Sequence, residues 1–149
     1  MMSKNNLEWQ NGEYKIRTNK ELLQIDLILD YLVNQSYWAK NRTAEQMQTV
    51  IENSLCFGLY RESRQIGFAR VVTDFATFAY LGDVYVLPEF QGEGLGKWLI
   101  EVVVNHPDLQ GFRRWILATR DAHMLYEKYG FTELKHTERW MEKADPNAY

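Results

Sequence analysis

Three glycines alternate within five residues at Gly92-Glu93-Gly94-Leu95-Gly96, with Gln91 before them and Lys97 after. The run follows an apolar stretch, Val84-Tyr85-Val86-Leu87-Pro88, and leads directly into a segment with helical periodicity. A strand, a glycine turn and a helix N-terminus in that order make an anion site. The turn lets backbone N–H groups point outward, and the helix end adds unpaired donors and partial positive charge. The stretch is therefore expected to hold a phosphate-bearing ligand. A dinucleotide fingerprint needs G-x-G-x-x-G after the first strand of a βαβ unit; here the spacing is G-x-G-x-G, past the middle of the chain. A P-loop needs Gly-Lys-Ser/Thr, but Trp98 follows Gly96-Lys97, so no hydroxyl is offered to magnesium. A third pattern, Gln/Arg-x-x-Gly-x-Gly/Ala after a strand ending in Val-x-Pro, is met by Gln91, Gly94 and Gly96. A bare strand-to-helix turn needs one or two glycines rather than three at this spacing.

Other groups able to do chemistry are few. Asp83 is an ionisable residue inside the apolar run Leu81-Gly82-Asp83-Val84-Tyr85-Val86. A buried acid is costly and needs a partner, so two readings stand open. In one, Asp83 meets a substrate amine or relays its proton; in the other, it pairs with Arg70 or a backbone donor. Cys56 lies in an apolar strand and reads as core. His106, His123 and His136 have no metal-ligand spacing with Cys56, so no metal site is expected. No G-x-S-x-G pattern supports hydrolase chemistry.

The elements that must position these residues follow from periodicity. Met1 to Gly12 reads as a short, polar, loose leader, and Tyr14 to Arg17 as a first strand. Leu22, Ile25, Leu29, Leu32 and Val33 recur at helical spacing. Thr43 caps a second helix, with Gln46 as capping-box partner and Met47, Val50 and Ile51 as its buried face. Leu55–Arg61, Gln65–Thr73 and Tyr80–Val86 follow as an antiparallel meander. The helix after the glycines carries Leu95, Trp98, Leu99, Val102 and Val103 on one side and stops at Pro107. Trp115–Thr119 reads as a buried strand, Asp121 as the cap of a helix over Ala122–Tyr129, and Gly130 as its C′ residue. Phe131–Lys135 and Trp140–Glu142 read as two closing strands, and 144–149 as a polar tail.

The totals narrow the class. A chain of 149 residues, 46% of them hydrophobic, is one globular domain with room for a core. Five Trp and nine Tyr serve bulky core filling or an aromatic-lined pocket. A net charge of −3 disfavours nucleic acid as a partner. No apolar run is long enough to span a membrane, residues 1–12 do not resemble a secretory signal, and the single Cys56 fits a reducing cytoplasm.

A second motif gives the ligand a name. Ala122, Leu125, Tyr126, Gly130 and Phe131 meet Ala-x-x-Leu-Tyr-x-x-x-Gly-Phe. With the Gln91–Gly96 loop upstream, the chain from about Tyr14 to Glu142 resembles the GNAT superfamily of acetyl-CoA-dependent N-acetyltransferases. The resemblance implies an α/β fold: a mostly antiparallel mixed sheet of about six to seven strands, flanked by about four helices and splayed between two central parallel strands. It implies acetyl-CoA as cosubstrate, with its pyrophosphate on Gln91, Gly92, Glu93, Gly94, Leu95, Gly96 and Lys97 and its pantetheine arm along Val84, Tyr85 and Val86. Thr119 stands where many members place an Asn that touches CoA. Tyr126 is implied as the acid that helps the thiolate leave, with core packing as its alternative. Asp83 matches one acid of a similar strand in the spermidine/spermine acetyltransferases, while Gly82 replaces the other.

The resemblance also implies a substrate pocket under the first two helices, flanked by Tyr37, Trp38, Asp74 and Tyr80 as well as Asp83. The Tyr37-Trp38 pair stacks on an amine or anchors its loop to the sheet. Together these residues suggest a small, cationic primary amine as acceptor, acetylated by direct attack in a ternary complex. The alternative is a non-catalytic acyl-CoA sensor on the same fold. Whether the chain forms a homodimer stays open.

Overall fold

Between residues 55 and 86, apolar stretches separated by polar turns form three consecutive strands, the first two buried over most of their length and the third alternating in its first half. The structure, a computed structural model, describes residues 5–149. Strands β1 (Glu8–Asn11), β2 (Tyr14–Arg17), β3 (Leu55–Arg61), β4 (Arg64–Thr73), β5 (Phe78–Val86) and β6 (Arg114–Ile116) form one sheet in chain order. Every neighbouring pair is antiparallel except β5 and β6, which are parallel. Four α-helices accompany them: α1 (Ile25–Gln35), α2 (Ala44–Glu52), α3 (Leu95–Val104) and α4 (His123–Glu127).

Alternation along the strands assigns the two faces. Cys56, Phe68 and Tyr85 pack with Ile28 and Leu32 of α1 and with Met47 and Ile51 of α2. Leu55, Phe57, Ala69, Val71 and Leu81 belong to the cluster that holds Leu95, Leu99, Ile100 and Val103 of α3. The Thr43 capping box forms as its residue types require: the Gln46 N–H donates to Thr43 Oγ1 at 3.1 Å, and the Thr43 N–H to Gln46 Oε1 at 2.9 Å. Gly67 is needed because a Cβ there would lie 2.9 Å from both Leu59 Cδ2 and the Tyr85 carbonyl oxygen.

Four elements differ from the sequence expectation. The leader is not loose over its whole length: β1 pairs with β2 from Glu8↔Arg17 to Asn11↔Tyr14, supported by Arg17 Nε donating to Glu8 at 2.6 Å. Residues 1–4 of that leader lie outside the described residues. The strand expected over Trp115–Thr119 pairs only over Arg114–Ile116. Helix α4 is shorter than expected, and its N-cap is Ala122 rather than Asp121, with no side chain capping the first turn; the Ala122 N–H itself donates to Thr119 Oγ1 at 3.1 Å. The closing strands over 131–135 and 140–142 are not formed. Alternating side chains set a face, but a strand also needs a backbone edge, and only the three residues of β6 offer one here. Phe131 instead stands edge-on to Trp115 at 6.3 Å, and Trp140 lies under the Arg114 guanidinium at 4.7 Å. A cavity of about 900 Å3 remains between this segment, β6 and the end of α3.

Candidate active site

The site begins where two parallel strands part. β5 and β6 pair only at Phe78↔Arg114, Ala79↔Trp115 and Tyr80↔Ile116. Beyond Tyr80, β5 continues to Val86 with no strand partner on that side, while the chain after Ile116 turns away through Leu117, Ala118 and Thr119. On its other side β5 slips against β4: Phe68 faces Tyr85 and Arg70 faces Gly82, so Ala69 spans both Asp83 and Val84. Asp83 takes up the extra residue with φ of 51°, a left-handed backbone that non-glycine residues rarely adopt. The divergence opens a cavity of about 450 Å3, and Asp83, Val84, Thr119 and Tyr126 all line it.

At the C-terminal end of β5, the glycine loop leads into α3 with its backbone donors open. Gly92 and Gly94 sit at φ of 87° and 80°, and Gly94 is the N-cap of α3, with no side chain satisfying the first turn. The first backbone bond into the helix is from the Trp98 N–H to the Gly94 carbonyl, 3.1 Å. The N–H groups of Leu95, Gly96 and Lys97 find no acceptor among the described residues. Glu93 would oppose an anion, but Tyr14 Oη holds its carboxylate from β2 at 3.0 Å. Gln91 turns back and donates from Nε2 to the Val86 carbonyl at 2.9 Å. Lys97 lies against Lys128 and depresses that ammonium's pKa, so two cations meet beside the loop. Tyr129 Oη donates to the Lys97 carbonyl at 2.9 Å, tying the segment after α4 to the first turn of α3.

Asp83 is engaged on every side. Its Oδ2 accepts from Arg70 Nε at 2.6 Å and from Arg42 Nη1, and its Oδ1 accepts from Trp38 Nε1 at 2.8 Å. The side chains of Asp83, Arg42 and Arg70 are 2%, 3% and 12% exposed. Burial alone would raise the Asp83 pKa; the Arg70 and Arg42 charges and their hydrogen bonds outweigh it and hold the carboxyl below its ordinary value. The paired reading of Asp83 with Arg70 is the one the geometry supports. Arg42 arrives as a second partner from the turn between α1 and α2.

The other expected site residues divide. Tyr37, Trp38 and Tyr80 line the cavity. Tyr37 and Trp38 meet edge-on at 5.0 Å; the Arg120 N–H donates to Tyr37 Oη at 2.8 Å, and the Arg120 guanidinium lies 4.0 Å over the Tyr37 ring. Tyr126 is buried, and desolvation followed by the influence of Tyr37 pushes its phenol up to about 12. Asp74 does not reach the cavity. Its carboxylate caps the β4–β5 turn, accepting from the Thr77 hydroxyl at 2.5 Å and from the N–H groups of Thr77 at 2.7 Å and Ala76 at 2.9 Å, and these bonds, the Thr77 hydroxyl first, hold its pKa far below normal. Arg42, Arg120 and Tyr149 were not singled out from the sequence, yet all three line the cavity. Tyr149 carries its ring to 4.9 Å from the Arg42 guanidinium. Nothing local marks these three, because each is brought in by a loop or tail. Cys56, as expected, is core, and burial pushes its thiol up to about 12.

Among the described residues no helix is long and apolar enough to cross a membrane. The family model for the acetyltransferase (GNAT) domain matches residues 52–133, which runs from the end of α2 through both motifs. A Gibberella zeae protein assigned as an acetyltransferase is 36% identical over 142 residues, covering 80% of this chain and 79% of its own. A crystal structure from Xanthomonas campestris pv. campestris, of a protein assigned to the GNAT family, superposes with a TM-score of 0.90 at 47% identity, over 94% of this chain and 99% of that one. The fold is also that of a Clostridium acetobutylicum protein solved with acetyl-CoA, at a TM-score of 0.65 and 16% identity, over 88% and 94% of the two chains. On the family match and these relatives, the chain belongs to the GNAT acetyltransferases.

Proposed function

We propose that this chain moves the acetyl group of acetyl-CoA to a primary amine by direct attack within a ternary complex. The observation that carries the reading is the divergence of β5 from β6, which leaves Val84 and Tyr126 lining one cavity on the strand that runs on, through the glycine loop, to the unpaired N–H groups of α3. The pyrophosphate suits those N–H groups, with Lys97 and Lys128 offsetting its charge. The pantetheine arm suits the open edge of β5, where an extended amide chain adds itself like a strand. The Clostridium protein's acetyl-CoA complex supports the cosubstrate.

The reaction forms a C–N bond and breaks the thioester C–S bond. The Val84 N–H, on the open edge, serves as donor to the thioester oxygen as negative charge develops there. The amine attacks in its neutral form, so an ammonium with a pKa of about 10 must first lose a proton. Asp83 is a poor base for that step, because two guanidiniums and an indole N–H already occupy its oxygens. We assign it instead to positioning Arg42, Arg70 and Trp38, and the amine's proton leaves through water. Tyr126 acts on the leaving group. A phenol at about 12 stays protonated at neutral pH, so it donates a hydrogen bond to a thiolate whose thiol pKa is about 8.5. Thr119, with its oxygen accepting from Ala122, keeps a hydroxyl proton to offer the cosubstrate.

The test is CoA release over a panel of amines, with CoA affinity measured alongside. Tyr126→Phe is expected to lower kcat about a hundredfold and leave CoA affinity within about twofold. Unchanged turnover removes Tyr126 from the reaction. CoA binding by the wild type with no amine acetylated favours the acyl-CoA sensor.

A further inference from the structure

The cavity beside Val84 and Tyr126 holds an unbalanced charge. Its Arg and Asp lining is three arginines, Arg42, Arg70 and Arg120, against two aspartates, Asp83 and Asp121, with four tyrosines beside them. Arg120 and Asp121 offset each other at the exposed mouth, 3.8 Å apart. Inside, Arg42 and Arg70 share the single carboxylate of Asp83. Removing a charge from water costs several kcal/mol unless it is paired. One buried guanidinium here has only half a partner.

The unused hydrogen-bonding capacity lies in the same place. A guanidinium carries five N–H donors. Arg70 spends Nε on Asp83 and Nη1 on Ser54 Oγ at 3.3 Å, and Arg42 spends Nη1 on Asp83. Neither Nη2 group meets an acceptor among the described residues. Gly82 lies beside one of them, and a Cβ there would meet the Tyr80 ring at 3.0 Å while only touching Arg70 Nη2, at 3.8 Å. The Tyr149 ring covers a face of the Arg42 guanidinium, whereas hydrogen bonds leave from its edges.

Resting on the acetyl-transfer reading above, we propose that the acceptor amine bears an anionic group, a carboxylate or a phosphate, and that Arg42 and Arg70 receive it. Planar, fork-shaped guanidiniums match the paired oxygens of either group. The anion completes the charge balance that Asp83 begins. The same positive field favours the neutral, nucleophilic form of the amine, which suits a site with no free carboxylate to act as base. A polyamine, which brings only positive charge, is excluded by the same field. The two carboxylates that suggested a cationic acceptor are both engaged, Asp83 by arginines and Asp74 in its own turn.

The experiment uses matched amines that differ only in the anionic group: β-alanine against β-alaninamide for carboxylate, and phosphoethanolamine against ethanolamine for phosphate. Each is assayed for CoA release and titrated calorimetrically into the CoA-loaded protein. The expected result is a preference of tenfold or more, in kcat/KM and in affinity, for the anionic member of at least one pair; which pair shows it separates carboxylate from phosphate. Arg70→Gln is expected to bring that ratio close to one, and should it fail to fold, the wild-type ratios still decide. Turnover with equal or better use of the neutral members or of spermidine overturns this inference and leaves acetyl transfer standing. Preferential binding of the anionic members without any CoA release leaves the anion site standing and overturns acetyl transfer. No preference in either measurement overturns the anion site.

Discussion

Arg70 Nε donates to Asp83 Oδ2 at 2.6 Å across the one register shift between β4 and β5. The shift and the bond belong together. Arg70 faces Gly82 in the ladder, and the extra residue that follows turns Asp83 to φ of 51° with its carboxylate toward Arg70 and Arg42. The ion pairs thus hold the irregularity on the stretch of β5 whose other edge is left open.

Asp83→Asn is expected to leave two buried guanidiniums without a counter-charge and to cost about 3–5 kcal/mol at pH 7. The folded carboxyl titrates below its unfolded value of about 3.9. Its contribution is therefore full above about pH 4 and is lost as pH falls through the folded pKa. Urea melts of both proteins from pH 7 to pH 3 should show the gap narrowing at the acid end. A gap under about 1 kcal/mol at pH 7 contradicts this account of the cluster.

The glycine loop makes two opposite predictions from one substitution type. Gly94 sits at φ of 80° with open space around it, so Gly94→Ala meets strain without a clash and should cost about 1–2 kcal/mol. Gly96 lies inside the first turn of α3, again with nothing within 4 Å of a Cβ. Gly96→Ala should raise the Tm of the unliganded protein by about 1–3 °C, since alanine is the better helix former by up to about 1 kcal/mol. It should also weaken CoA binding, because the methyl stands where phosphate must approach the N–H groups. Thermal melts with and without CoA measure both effects, and a variant that is stabilised and binds CoA normally shows that no ligand approaches position 96.

Much of this arrangement was readable in the chain, and the misses share a cause. The Gln91–Gly96 loop, the Thr43 cap and the β3–β5 meander are encoded within a few residues each, so spacing and residue type suffice. Asp83 is visible as an anomaly in an apolar run, and its pairing with Arg70 is one of the two readings that the sequence leaves open, because the two residues lie on adjacent strands of one hairpin, Arg70 opposite Gly82 and Asp83 next to it. Arg42 comes from a turn 41 residues away from Asp83, and Tyr149 from a tail that packs across the cavity. No local periodicity encodes such contacts. The segment 131–142 failed in the other direction: its apolar residues suggest strands, but strand formation depends on a partner edge that the short β6 does not extend.

His106 supplies a pH-dependent weakness far from the site. It is fully buried against Trp9 and Phe57, with ring centroids 5.9 and 5.7 Å away, and Nδ1 accepts the Asp108 N–H at 3.0 Å. Its Nε2 has no hydrogen-bond partner among the described residues. Burial depresses its pKa, with the Asp108 charge acting in the opposite sense. Below the unfolded value of about 6.5, the unfolded chain takes up a proton that the folded chain resists, so stability falls with pH. Denaturant midpoints of the wild type should drop between pH 6.5 and 5. His106→Phe should remove its share of that slope while costing about 1 kcal/mol at pH 8 for the lost bond to Asp108. An identical slope in the two proteins assigns the effect elsewhere.

The pH dependence of turnover tests the division of labour between Tyr126 and the acceptor. With its phenol at about 12, Tyr126 keeps its proton throughout the accessible range. Asp83, held below its ordinary value, stays ionised from weakly acid to basic pH. Neither group then titrates between about pH 5 and 10, and the only ionisation that matters there is the loss of the acceptor's own ammonium proton. kcat/KM should climb with pH to a plateau and show no descending limb up to about pH 10. Exchanging the acceptor for one with a lower amine pKa should move the midpoint by the difference between the two amines. A bell-shaped profile, or a midpoint that stays fixed when the amine is changed, points to an enzyme group as the titrating base. Tyr126→Phe should lower the plateau and leave the midpoint where it was, because a donor that never ionises in this range can set the height of the profile but not its position.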